Sequence, residues 1–269
     1  MIHGNSNIAE PLSAVDSMAP PTGSAIMRAI EILEVISRSD ETPQLAEICR
    51  AVNLPKATVY RILGTLEHAG YVSKEPGAKR YQCGHRLHNI SMKVLQNSPA
   101  RAARRAILEE LVEELGETCN LTVPDVHTIT YLDRVEASWP LKVVLSVGSK
   151  VPMYASASGK LFLSFMPRRS CERFIRSTPL IAYTEKTLVD PVRLMSELDS
   201  IRLNDFAVDE EEYLNGICCL AVPVRNHDGE VVASVAAHGP SSRMQLSQAI
   251  EFLPQLREAA DCIGQTLES

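Results

Sequence analysis

The chain has 269 residues, 45% of them hydrophobic and 22% charged, with a formal net charge of −6 and seven cysteines. This is the composition of an ordinary globular protein long enough for two domains, and it excludes collagen-like, disulfide-stapled and wholly disordered chains. No apolar run reaches the roughly 18 residues of a membrane-crossing helix and no basic-then-apolar leader opens the chain, so a cytoplasmic location and no membrane partner are expected.

Residues 1–23, rich in Pro and Ser and without periodicity, are expected to form a disordered tail. A helix begins at Ser24, carries Ile26, Ala29, Ile30, Leu33 and Ile36 on one face, and should end between Ser37 and Asp40. Next comes Leu45–Gly70, the stretch with the clearest pattern. Its apolar residues Leu45, Ile48, Cys49 and Val52, then Val59, Ile62, Leu63 and Leu66, recur at helical spacing on either side of Asn53-Leu54-Pro55. Pro55 removes a backbone donor and disfavours helical geometry at Leu54, so the stretch reads as helix, tight turn, helix.

The outward face of the second helix carries Lys56, Ala57, Thr58, Tyr60, Arg61 and Thr65. Short donors, an arginine and small side chains suit phosphate contact and groove reading; the alternative is the solvated face of an ordinary helix pair. Gly70 stops the helix. Tyr71–Lys74, a turn at Glu75-Pro76-Gly77-Ala78 and Lys79–Cys83 then read as a hairpin. Its basic residues Lys74, Lys79 and Arg80 would make it a wing along the DNA backbone; the alternative is an exposed loop of ordinary charges.

Charge is distributed unevenly. Residues 1–23, 24–83, 84–105 and 106–269 carry −2, +1, +5 and −10 respectively. Ten Lys or Arg lie between Pro55 and Arg105, against Glu67 and Glu75, which concentrates positive potential near the candidate recognition helix.

A helix from His85 to Gln96 presents Leu87, Ile90 and Val94 in one row and is expected to be a linker and a contact between copies. Cys83, His85 and His88 lie close enough in sequence to suggest a metal site, but structural zinc takes four ligands and a fourth is not apparent; no metal and no cofactor is expected. After a helix from Pro99 to about Gly116, strands are expected at Cys119–Val123, Thr128–Val135 and Leu141–Val147. Helices follow at Ser158–Met166, Arg169–Ile175 and Pro191–Asn204, then strands at Phe206–Glu211, Ile217–Val224 and Val231–His238. A closing helix, Met244–Leu267, should kink or split at Pro254. Because neighbours in a strand alternate sides, Cys218 and Cys219 must face opposite ways.

Catalytic patterns are sought without success. Tyr154-Ala-Ser-Ala-Ser-Gly159-Lys160-Leu161 lacks the first glycine and the metal-binding hydroxyl of a phosphate loop. Ser156 and Ser158 are not in a G-x-S-x-G setting. A small-molecule enzyme with an accessory helix-turn-helix is the alternative function, and no base and nucleophile pair supports it.

From about Ala25 onward the chain resembles the IclR family of bacterial transcriptional regulators. The motifs are Met27-Arg28-Ala29-Ile30, Leu54-Pro55-Lys56-Ala57-Thr58-Val59-Tyr60-Arg61, Gly70-Tyr71-Val72, Tyr131-Leu132-Asp133-Arg134-Val135, Ala155-Ser156-Ala157-Ser158-Gly159-Lys160, Glu211-Glu212-Tyr213, Gly216–Pro223 and Gly239–Arg243. The resemblance implies an α+β protein: a winged helix-turn-helix over 24–84, a linker helix over 85–98, and a GAF-like antiparallel sheet flanked by helices over 99–269. It implies a homodimer or dimer of dimers that binds a double-stranded DNA operator and a small-molecule effector. DNA contacts are expected from Arg28, Lys56, Ala57, Thr58, Tyr60, Arg61, Lys79 and Arg80. Motif positions place the effector, often a carboxylate, against Val143, Val151, Ala157, Ser158, Asp209, Ile217, Cys219, Ala236 and His238.

Two departures stand out: Tyr154 where the family often has histidine, and Ala236 with His238 where hydroxyls are common. They suggest a bulkier or aromatic carboxylate beside Tyr154, with His238 as a donor; the alternative for His238 is packing between sheet and helix.

Overall fold

The computed structural model describes residues 24–39, 41–75, 79–97, 100–138 and 145–267, and in it the chain divides into two compact units between Gly84 and His85. The expected tail at 1–23 and the hairpin tip at 76–78 lie outside the described residues, as do Pro99, the strand residues Leu141–Val144 and with them Val143.

The N-terminal unit holds α1 (Ala25–Arg38), α2 (Leu45–Ala51), α3 (Lys56–His68) and a hairpin of β1 (Val72–Lys74) and β2 (Tyr81–Cys83). Its core is Ile32, Ile36, Ile48, Val52, Val59, Leu63, Val72 and Tyr81. The apolar face expected of α1 needs correction. Ile36 of that face is buried and Leu33 packs against the core, but Ile26 is 71% and Ile30 41% exposed, and Ile32, outside the expected row, is fully buried. A core this small covers only the C-terminal half of α1.

The turn between α2 and α3 follows from local chemistry. Asn53 takes a left-handed φ of 49°, which asparagine tolerates better than most residues, and the Leu54 N–H donates back to the Cys49 carbonyl at 3.3 Å. The end of α3 repeats the device. Gly70, at φ 78°, donates to Glu67 and the Tyr71 N–H donates to Leu66. Gly84 packs directly on the Gly70 carbonyl, leaving no room for a Cβ. Gly84→Ala should therefore cost roughly 1–3 kcal/mol, read as an earlier transition of this unit when the full chain is unfolded in urea.

The second unit begins with α4 (His85–Asn97) and α5 (Ala100–Leu115). A six-stranded, wholly antiparallel sheet follows, formed by β3 (Thr118–Asp125), β4 (Thr128–Val135), β5 (Lys150–Pro152), β6 (Ala207–Glu210), β7 (Ile217–Arg225) and β8 (Val231–Pro240) in the order β5-β4-β3-β8-β7-β6. Between β5 and β6 the chain forms α6 (Ala157–Phe165), α7 (Arg168–Ser177) and α8 (Pro191–Asn204). It closes with α9 (Leu246–Ala249) and α10 (Leu253–Thr266), separated by a short 3-10 turn and with Pro254 in the first turn of α10.

The sheet separates two cores. Leu121, Leu220, Val222, Val235 and Ala237 face α5 and α10, whereas Tyr131, Ala221 and Ala236 face α6, α7 and α8. Of the third expected strand, the described residues Leu145–Val147 are irregular, and β4 pairs instead with Lys150–Pro152, for which no strand is expected. On α4 the buried residue is Met92, while Ile90 and Val94 of the expected row are exposed. The fully buried Arg104 fastens α4 to the sheet. Its Nη2 donates to the Leu95 carbonyl at 2.7 Å, and its Nε lies 3.6 Å from Asp133 on β4.

Candidate functional sites

Two sites lie on different units. On the first, Val59 and Leu63 face inward, so helical geometry turns Lys56, Ala57, Tyr60, Arg61 and Thr65 outward. Tyr60 is 61% exposed on this outward face. Thr58 is half-buried on the same helix, and Arg28 is half-buried on α1. In the hairpin the basic residues differ in kind. Lys74 is paired with Glu67 at 2.6 Å and Lys79 is exposed. Arg80 donates to the Thr42 carbonyl at 2.5 Å and, with the Tyr81 N–H on Pro43, straps β2 to the segment before α2.

The second site is a partly open cleft on the α6 side of the sheet. Val151, Ala157, Ser158, Asp209, Ile217, Cys219, Ala236 and His238 all line it, brought together from the five elements β5, α6, β6, β7 and β8. Tyr154 does not. Its hydroxyl donates to the Ile181 carbonyl and accepts from the Ile181 N–H, which holds the ring outside the cleft in contact with Tyr183.

Sequence reading missed Asn120 and Thr122 on β3, Ile129 and Tyr131 on β4, and also Leu145, Ser156, Tyr213 and Leu214. The alternation of polar Asn120 and Thr122 with apolar Cys119, Leu121 and Val123 was the available signal for the first two. The same alternation sends Cys219 to the cleft and Cys218 into the opposite core.

One wall of the cleft is the start of α6. Ser156 caps the Gly159 N–H with its hydroxyl and the Lys160 N–H with its carbonyl. The Ala157 and Ser158 N–H groups have no partner within the helix and stand at its positive end. Gly159 allows this start to sit against the Met153 carbonyl, which a Cβ would strike. The Ser158 hydroxyl accepts from Ser234 at 3.1 Å and retains its own proton to donate.

At the other end, Arg134 Nη1 donates to Asn120 Oδ1 at 3.0 Å, and Asn120 Nδ2 lies 2.7 Å from His238 Nδ1. An arginine only donates, so the amide orientation is settled: Asn120 gives a proton to Nδ1, and the imidazole proton resides on Nε2. That Nε2 is buried without a partner among the described residues. Burial, helped by the nearby Arg134 charge, lowers the His238 pKa to about 3, so the ring is neutral. Asp209 accepts from the Glu212 N–H at 2.6 Å, while burial and the Glu212 carboxyl raise its pKa to about 7.

Cys219 lies between Asp209 and His238 across the strands, a superficially nucleophilic arrangement. Burial and then the Asp209 charge push its thiol well above the ordinary range, and His238 offers it no lone pair on the protonated Nε2. The other residues considered for chemistry are dispersed: Cys83 packs at the N-terminal core, and His88 Nε2 lies 3.5 Å from Asp125.

A winged helix-turn-helix in the same chain as a cleft-bearing antiparallel domain is the plan of a DNA-binding regulator that responds to a small molecule. Residues 25–76 match the IclR helix-turn-helix domain and residues 92–265 match the bacterial transcriptional regulator IclR C-terminal domain. The chain belongs to the IclR family of bacterial transcriptional regulators, and like the relatives described next it is a regulator, not an enzyme.

It is 41% identical to the probable transcriptional regulator SauR of Cupriavidus necator, over 91% of this chain and 97% of that protein. It is 31% identical to the transcriptional repressor IclR of Escherichia coli K12, over 90% of each. Among solved structures, Thermotoga maritima IclR superposes with a TM-score of 0.61 at 30% identity, covering 91% of this chain and 98% of that one. The inducer-binding domain of a PobR double mutant from Acinetobacter, solved with 3-hydroxybenzoic acid, gives 0.57 at 26% identity over 61% and 96%. Among the described residues no helix is long and apolar enough to cross a membrane.

Proposed function

We propose that two copies of this chain read a pseudo-palindromic operator with paired α3 helices in the cytoplasm, under the control of a small organic carboxylate held in the cleft. The observation that carries the DNA reading is the outward face of α3, where Lys56, Ala57, Tyr60 and Arg61 are exposed together above a buried Val59–Leu63 stripe. Thr58 and Arg28 flank that face, and Lys79 and Arg80 sit on the wing, Arg80 with one nitrogen already engaged. The apolar Ile90 and Val94, exposed on α4, support contact between copies of the chain, as a dimer or a dimer of dimers.

The carboxylate reading is supported by the N–H groups at the start of α6 and the Ser158 hydroxyl, and by the acid bound to the related PobR domain. Control requires that the ligand prefer one arrangement of the DNA-binding units, since equal affinity for both shifts nothing.

Gel shifts on a DNA fragment selected from random sequence by the wild-type protein test the reading. Arg61→Ala should cost about 1–3 kcal/mol and relax preference at one base position. Lys79→Ala should weaken all sequences alike and reduce the salt slope by about 1. Wild-type binding by both variants would reject the assignment.

A further inference from the structure

The two ends of the cleft are marked by the same strand. Ser234 of β8 meets Ser158 at the α6 start, and His238 lies four residues further along the same face, about 13 Å away at 3.3 Å per residue. Ala236 lies between them and leaves room above its methyl group. The structure thus provides two separate polar ends joined by a shallow apolar floor.

The far end has both a donor and an acceptor. His238 is only 6% exposed, its Nε2–H has no partner among the described residues, and its proton position is set by Asn120 and, behind it, Arg134. Asp209, Cys219 and His238 are register partners on β6, β7 and β8. With strands about 4.8 Å apart, a ligand atom above Cys219 is flanked by the Asp209 carboxyl on one side and the His238 N–H on the other. A second carboxylate there would face Asp209 and meet a neutral imidazole, so a second buried negative charge would be poorly compensated. A hydroxyl fits without that cost, accepting from His238 and donating to Asp209.

Resting on the carboxylate reading of the cleft, we propose that this protein is selective for hydroxy acids, with the acid group at the start of α6 and the hydroxyl over Cys219 between Asp209 and His238. His238 is the residue that determines this selectivity. Asn120 and Arg134 act through it as positioning residues, holding the imidazole as an Nε2–H donor.

Titration calorimetry on the full chain tests this with matched acids of increasing length: butyrate against 4-hydroxybutyrate, hexanoate against 6-hydroxyhexanoate, and benzoate against 3-hydroxybenzoate, with succinate and adipate as two-acid controls. In at least one pair the hydroxy acid should bind about tenfold or more tightly than its parent, because the parent leaves buried polar groups unpaired. His238→Ala should erase that difference within each pair. Equal binding within every pair, or tighter binding of a two-acid control, overturns the hydroxyl proposal and leaves the carboxylate reading standing. Binding of none of these acids overturns both.

Two further measurements need no ligand affinity or address positioning alone. Nitrogen-15 correlation spectra of the free protein should show His238 as the Nε2–H tautomer at neutral pH; an Nδ1–H tautomer or an imidazolium overturns the proposal. Asn120→Asp replaces the donor to Nδ1 with an acceptor of the same shape and should move the proton to Nδ1, abolishing hydroxyl selectivity in a protein whose circular dichroism is unchanged. Retained selectivity in that variant overturns the positioning role.

Discussion

Replacing Lys160 with methionine should destabilise the C-terminal unit by about 3–5 kcal/mol, whereas Lys160→Met combined with Glu212→Leu should recover most of the loss. Lys160 is 1% exposed on α6, with its ammonium bonded to Glu212 and 3.6 Å from the more exposed Glu197. Glu212 is itself buried, and its second oxygen has no partner among the described residues. Removing the ammonium leaves a carboxylate without compensation in an apolar setting, whereas replacing both groups puts apolar side chains of similar volume in their place. Burial already raises the Glu212 pKa against the pull of Lys160, so in the single variant Glu212 should take up a proton, making the penalty smaller below neutral pH. Urea denaturation of the full chain, followed by circular dichroism as a double-mutant cycle, measures the coupling. The pair also matters to the cleft, because the Glu212 N–H holds Asp209 and the adjacent Tyr213 is part of the wall. Additive losses in the cycle would show that the ion pair does not fasten this wall.

Asp209 and His238 should make opposite contributions to stability across mildly acidic pH, each about 1.4 kcal/mol per pH unit. The pKa of Asp209 is raised from 3.8 to about 7 on folding, so its contribution is fully present below 3.8 and is lost as pH rises through 7. That of His238 is lowered from 6.5 to about 3, so its contribution is fully present above 6.5 and is lost as pH falls through 3. Between pH 4 and 6.5 the two slopes largely cancel in the wild type. Asp209→Asn should expose the histidine slope, giving a unit that weakens on acidification below 6.5. His238→Gln should expose the carboxyl slope, giving one that weakens from pH 4 up to 7, with the raised Glu212 pKa acting in the same sense. Melting temperatures of the three proteins across this range would show it, and parallel profiles would refute the pair of assignments.

Local patterning carried much of the fold. The spacing of Val59, Ile62, Leu63 and Leu66 defines α3, and Gly70 marks its end because the left-handed turn there suits glycine. Strand β4 and helix α8 have the limits expected from their sequences. The failures share a cause. The exposed Ile26 and Ile30 satisfy the same helical period as buried residues, and only the size of the neighbouring core decides which side of α1 is covered. Strand β5 is three residues long and is defined by pairing with β4, not by any pattern of its own.

The cleft divides in the same way. Ser158, Asp209, Cys219 and His238 could be placed through family motifs because each lies in a short recognisable stretch. Tyr154 was misplaced because its direction is set by Ile181, which is far away in sequence. Asn120 and Arg134, which fix the His238 proton, reach it through sheet pairings between β3, β4 and β8.

By itself the sequence determined the helices of the first unit and most strands of the second, because helical period, strand alternation and turn residues are properties of neighbouring amino acids, while its short motifs carried the resemblance to the IclR family. Only the tertiary structure decided how the cleft presents its donors and acceptors. A tautomer, a neutral carboxyl or a buried ammonium depends on which distant residue supplies the hydrogen bond and how much water is excluded, and neither is a property of any single stretch of chain.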